Sequence, residues 1–207
     1  MCIRDSYIIG DLFEYWVGDD DPHPINELIQ NKIKVAIGQG LSIYFIHGNR
    51  DFLLGSEFEK NTGLRIIDDM TVIKDSGISL MIAHGDSFCT DDIEYQALKK
   101  SLRSEEWKKD FLQKPIAERI AFADDLRAKS AESSSNKAEN IMDVNQSYVA
   151  QVIEKHKIDF LIHGHTHRPA IHKLDNGSSR VVLGSWEDEG WVAEYSKGNI
   201  ELKSFTI

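Results

Sequence analysis

The residues of this chain best suited to chemistry are Asp11, Asn49, His84, His165 and His167, and all but His167 stand beside a glycine at the end of a short apolar run. A carboxylate, an amide oxygen and imidazoles together suit borderline divalent ions such as Mn²⁺, Zn²⁺ or Fe²⁺ better than Ca²⁺ or Mg²⁺ alone. Two such ions roughly 3.5–4 Å apart clamp the attacking and leaving oxygens of a phosphoryl transfer, and they make hydroxide available near neutral pH. His165 and His167 lie two apart, which on an extended strand would turn both rings to one face. Each piece alone is weak. A Gly-Asp pair after a strand is most often a turn, and a lone histidine there is most often packed or solvated, which is the reading given to His47, His156, His163 and His172. The ordered set, repeated at successive strand ends, is what points to a metal centre.

The elements that must position these side chains are legible as continuous apolar runs bounded by glycine. Residues 7–9 lead into Gly10 and Asp11, residues 41–46 into His47, Gly48 and Asn49, residues 79–83 into His84, and residues 160–162 into His163, Gly164 and His165. Such runs read as strands buried on both faces of an α/β sheet, with ligands gathered at the strands' carboxyl ends. Between the first two strands, Ile25, Leu28, Ile29, Ile33, Ala36 and Ile37 recur at helical spacing, and Gly38 and Gly40 supply a stop. Residues 181–183, 191–195 and 200–205 read as closely spaced strands, the last two joined by a hairpin turn at Lys197, Gly198 and Asn199. Residues 91–140 are rich in helix formers and close to neutral in charge. They read either as a helical hairpin packed on the sheet or as a cap that offers apolar side chains to a greasy substrate.

A chain of 207 residues is long enough for one domain with a sizeable core. The net charge of -10 argues against a nucleic-acid partner, which calls for a basic footprint, but not against an anionic substrate, because bound cations invert the local field. Only two cysteines, Cys2 and Cys89, without the spacing of a disulfide framework, no apolar run of membrane-spanning length and no secretory leader lead to an expectation of a cytoplasmic protein.

Gly10-Asp11, Gly48-Asn49-Arg50-Asp51, His84-Gly85-Asp86 and Gly164-His165-Thr166-His167 are similar, in this order, to the motifs of calcineurin-like metallophosphoesterases. Arg50 stands where most of that superfamily has histidine. Arginine is no proton donor at ordinary pH, but its fork grips phosphate with two hydrogen bonds. With the run Gly10-Asp11-Leu12-Phe13-Glu14-Tyr15-Trp16-Val17-Gly18-Asp19-Asp20, it resembles the UDP-2,3-diacylglucosamine pyrophosphohydrolases of lipid A synthesis, as do residues 45–54, 89–92, 141–146 and 161–169.

The resemblance implies an αββα sandwich with a helical cap insertion at 91–140. It implies two Mn²⁺ ions, with Asp11 bridging, Asn49, His84 and His165 completing one site, and His167 serving the other. Arg50 would be catalytic, and Asn49, Arg50, Asp92, Ser130, Ser134, Lys137 and His165 would contact substrate, with Ser134 standing where the family often has Asn. The implied reaction splits the pyrophosphate of UDP-2,3-diacylglucosamine at the cytoplasmic face of the inner membrane, with peripheral attachment. A soluble-nucleotide phosphodiesterase and a non-catalytic metal-binding fragment are the alternatives.

One departure stands out. The family pattern opens with an apolar strand carrying Asp-x-His, whereas only six residues precede Tyr7 here, and Asp5-Ser6-Tyr7 is no substitute. The expectation is a chain truncated at its first strand, whose Asp11–Asn49–His84–His165 site survives while the site left with Asp11 and His167 is empty or weak.

Overall fold

The computed structural model describes residues 5–136 and 141–207, apart from the side chains of 131 and 133–136. The chain forms two compact units, one from residues 1–68 and 94–137, the other from 69–93 and 138–207.

The first unit is built on a parallel sheet of β1 (Asp5–Ile8), β2 (Ser42–Ile46) and β3 (Arg65–Ile67), in that spatial order. The crossover helix α1 (Pro24–Gly38) joins the first two strands as the spacing predicts. Proline fixes the first turn, His23 accepts a hydrogen bond from Ile25 N, and Gly40 at φ 97° turns the chain toward β2. The next helix, α2 (Ser56–Thr62), has no cap of its own. Instead the Asp19 carboxylate, far back in sequence, accepts from the backbone N–H groups of Gly55, Glu57 and Phe58 at 2.9–3.0 Å. An acceptor there satisfies donors that the helix start leaves unpaired.

The helix-rich stretch is three helices where a hairpin would have two: α3 (Ile93–Leu102), α4 (Glu105–Leu112) and α5 (Ile116–Asn136). The extra break has a local cause, because Ser104 caps α4 by accepting from Trp107 N. Pro115 then precedes α5. The core of this unit gathers Phe13, Trp16, Phe45, Phe58 and Phe111. Phe13, Trp16 and Phe58 contact one another with ring centroids 4.5–5.9 Å apart.

The second unit holds a five-stranded sheet in the order β4 (Thr71–Asp75), β5 (Ile78–Ala83), β6 (Phe160–His163), β8 (Ser179–Val182), β7 (Ala170–Lys173). Its three middle strands are parallel and the two edges antiparallel. Met81, Ala83 and Leu161 pack against Val149, Val152 and Ile153 of α6 (Gln146–His156). Leu80, Ile162 and Val181 point the other way, onto Ala193, Tyr195, Ile200 and Leu202 of the hairpin β9 (Glu189–Ser196) and β10 (Asn199–Thr206). Burial on both faces is what their unbroken apolar runs require. The hairpin turn is Lys197-Gly198, both at positive φ, as a two-residue turn matched to strand twist demands. Five elements escaped the sequence reading: β3, β4, β7, α2 and α6. The strands and α2 are short, three to seven residues each, whereas α6 carries Val149, Val152 and Ile153 at helical spacing behind an Asn145 cap, a legible signal that was passed over.

Candidate functional site

In the first unit, β1 runs out at Ile8 and the chain turns sharply through Gly10 (φ 87°) and Asp11 (φ 54°). Gly48, after β2, lies so close that a Cβ there would fall 2.2 Å from Asp11 Oδ1 and 2.4 Å from its backbone nitrogen. Only glycine leaves Asp11 its place. The carboxylate accepts a hydrogen bond from Arg50 N at 2.9 Å, and Arg50 Nε stands 3.8 Å from its other oxygen. Asp51 is fully buried and joins the two loops, accepting from Gly48 N at 2.8 Å and from Leu12 N at 2.7 Å. The sequence places Asp51 in the motif without revealing this role.

Arg50 Nη1 donates to Glu14 Oε2 at 2.8 Å, and Arg127 of α5 donates to the same oxygen at 2.6 Å. Arg103, in the turn just after α3, donates to Gly48 O at 2.9 Å and lies over the Phe52 ring. These groups stand along a groove of about 360 Å³. Asn49, Arg50, Arg103, Arg127 and Ser130 supply its polar lining, and Tyr95, Leu98, Leu102, Trp107, Phe111, Phe122 and Leu126 its apolar lining. Lys137 lies outside the described residues, as does the side chain of Ser134.

In the second unit, His84 follows β5 and is almost fully buried, with its backbone N–H donating to Asp69 Oδ1 at 2.9 Å. Its ring meets that of His165 edge-on at 5.1 Å between centroids. The expectation that His165 and His167 share one face of a strand is corrected here. Strand β6 ends at His163, and both residues take left-handed backbone, at φ 63° and 53°. The loop, not strand periodicity, aims the rings. Asp92 sits four residues past the end of the Asp86–Phe88 3-10 turn, partly buried in this unit.

His163, read as packed or solvated, is packed, with no exposure at all. Arg180 Nη1 lies 3.2 Å from its Nε2, and Gly164 O lies 3.0 Å from its Nδ1. Arginine can only donate, so Nε2 accepts and Nδ1 carries the hydrogen. Burial pushes this imidazole down to about 4, so it is neutral at physiological pH. His47 is likewise held below the ordinary histidine value by burial, with Nε2 2.7 Å from Leu54 O.

The donors present fit a divalent ion. The second unit brings two imidazoles together at a tight loop, and the first holds a carboxylate fixed by a glycine contact beside an asparagine. Such donors beside an arginine are those of a metal-dependent phosphoesterase. The calcineurin-like phosphoesterase pattern matches residues 3–169, and the chain belongs to that family.

Within the family its relatives are specific. The chain is 44% identical over 202 residues to the UDP-2,3-diacylglucosamine hydrolase of Escherichia fergusonii, covering 96% of this chain and 84% of that one. The figures are the same for the UDP-2,3-diacylglucosamine hydrolase of Escherichia coli O7:K1. A solved predicted phosphoesterase from Streptococcus pneumoniae aligns at 12% identity and a TM-score of 0.44, over 96% of this chain and 87% of its own, a likeness too loose to carry an argument.

Proposed function

We propose that this chain hydrolyses the pyrophosphate bond of UDP-2,3-diacylglucosamine to UMP and 2,3-diacylglucosamine 1-phosphate, a step of lipid A synthesis. The observation that carries the proposal is the groove lined by Leu98, Leu102, Phe122 and Leu126 next to Asn49 and Arg50. A diacylated sugar phosphate needs both surfaces at once. A soluble nucleotide would leave the apolar lining exposed to water, at a cost that scales with its area.

In this reading Asp11, Asn49, His84 and His165 hold one divalent ion, with manganese the preferred metal, while the second site, left with Asp11 and His167, is empty or weak. Bound there, the metal supplies Lewis acidity and acidifies a water. The chain's own residues do the rest. Arg50 grips a phosphate with its fork and stabilises charge as the bond to the leaving group breaks. Asn49 and His165 share the phosphate contacts, Asp92, Ser130, Ser134 and Lys137 hold the remainder of the substrate, and the groove takes the acyl chains and keeps water from them. A substrate of this kind places the enzyme at the cytoplasmic surface of the inner membrane, peripherally attached. No described helix is long and apolar enough to cross a membrane.

The test is hydrolysis of UDP-2,3-diacylglucosamine and of a soluble phosphodiester, each with added Mn²⁺. Preference for the acylated substrate is expected. Equal or better turnover of the soluble ester would favour a nucleotide phosphodiesterase, and metal binding without turnover of either would mark a non-catalytic module.

A further inference from the structure

Arg180 is a buried guanidinium, 4% exposed, whose Nε has no hydrogen-bond partner among the described residues. Burying an arginine without full satisfaction is costly, so its placement calls for an explanation. Its Nη1 meets His163, and from there the contacts run toward the loop that carries His165. His163 Nδ1 holds Gly164 O, the carbonyl of the peptide that enters His165, at 3.0 Å. Gly164 N donates to His84 O at 2.9 Å. Both polar groups of Gly164 are therefore fixed, the carbonyl by His163 Nδ1 together with Thr166 N, which donates to it at 2.7 Å, and the N–H by the neighbouring strand end. Gly85 closes the junction, since a Cβ there would lie 2.8 Å from Gly164 O, 3.0 Å from His163 Nδ1 and 3.2 Å from His165 Cβ.

We infer that Arg180 and His163 are positioning residues for the metal centre, a buried relay that fixes the Gly164–His165 peptide and so holds the His165 ring against His84. The inference rests on the proposal that His84 and His165 bind metal. Arg180 acts through orientation: by donating to Nε2 it selects the form of His163 whose other nitrogen can hold the Gly164 carbonyl. Without it the ring is free to carry its hydrogen on Nε2, and the carbonyl loses its imidazole donor, keeping only Thr166 N at 2.7 Å. A left-handed residue such as His165 depends on surroundings that enforce its conformation. Groups that orient metal ligands in this way typically contribute tenfold or more to affinity.

The experiment is Mn²⁺ binding by calorimetry on the whole chain, with thermal unfolding of each metal-free variant alongside. His163→Asn keeps an amide donor near the Nδ1 position, while His163→Gln moves its amide out toward Arg180. Both remove the ring that stands against Phe88. The expected result is near wild-type Mn²⁺ affinity in H163N and a loss of about tenfold or more in H163Q and in Arg180→Met. Equal losses in H163N and H163Q would overturn the relay and leave only packing of the ring. Unchanged affinity in all three would overturn it as well. If R180M does not fold, the asparagine–glutamine pair still decides. Absence of Mn²⁺ binding by the unaltered chain would instead overturn the metal centre on which the inference rests.

Discussion

The two terminal nitrogens of Arg119 each meet one carboxylate oxygen of Asp20, at 2.8 and 2.5 Å, across 99 residues of chain. Arg119 is 2% exposed and also donates to Val17 O and Lys114 O. One buried side chain thus fastens helix α5 to the segment that follows Asp11. Gly18 leaves the necessary space, since a Cβ there would lie 2.4 Å from Arg119 Nη1.

This pair gives a pH signature. The Arg119 hydrogen bond holds the Asp20 carboxyl below the usual carboxylate range. A carboxyl whose folded value is lowered adds stability that is present above its unfolded value, near 3.9, and is lost as pH falls from there through the folded value. The melting-temperature gap between the wild-type chain and Asp20→Asn is therefore expected to be constant above about pH 5 and to narrow below about pH 4. A gap that does not change across that window would show that the charge of Asp20 contributes nothing.

Asp19 caps α2 from outside the helix and also accepts from Trp16 Nε1 at 3.0 Å. Asp19→Ala is expected to cost about 1–2 kcal/mol, measured as a shift in denaturant midpoint with unchanged slope. Asp19→Asn should recover part of the loss, because its carbonyl oxygen can still accept.

At Gly48 the smallest possible change is expected to be severe. Gly48→Ala puts a methyl group into the space of the Asp11 carboxylate. A misplacement of about 1 Å in a catalytic constellation can lower the rate roughly 100-fold. Steady-state hydrolysis, with circular dichroism to confirm folding, checks this.

The groove can be separated from the chemistry. Phe122 lines it and is partly exposed at 38%, so a polar replacement there need not disrupt the core. Phe122→Glu is expected to raise KM for UDP-2,3-diacylglucosamine about tenfold, in line with burying apolar surface worth 1–2 kcal/mol, and to leave hydrolysis of a soluble phosphodiester unchanged. Equal losses on both substrates would mean that the residue supports the fold and not the acyl chains.

Metal removal provides the last check. Exhaustive chelation is expected to abolish hydrolysis, and Mn²⁺ is expected to restore it more fully than Mg²⁺, given imidazole donors at His84 and His165. Full restoration by Mg²⁺ alone would argue against that ligand assignment.

The sequence alone determined the donor types, their order along the chain and the α/β class. Donor chemistry belongs to the side chain itself, and a continuous apolar run marks a strand buried on both faces wherever it packs. The hairpin at Lys197-Gly198 was legible for a similar reason, since positive φ is a local preference. Tertiary structure decided which distant residues meet. Asp51 bonds to Leu12 and Asp19 caps α2 across almost forty residues, and Asp20 finds Arg119 across 99. None of these pairings leaves a periodic trace. The left-handed backbone of His165 and His167 was hidden as well: their spacing fits a strand, and only packing around Gly85 and Gly164 makes the turn. Local propensity is written residue by residue, whereas a contact between remote residues exists only once the chain has closed around it.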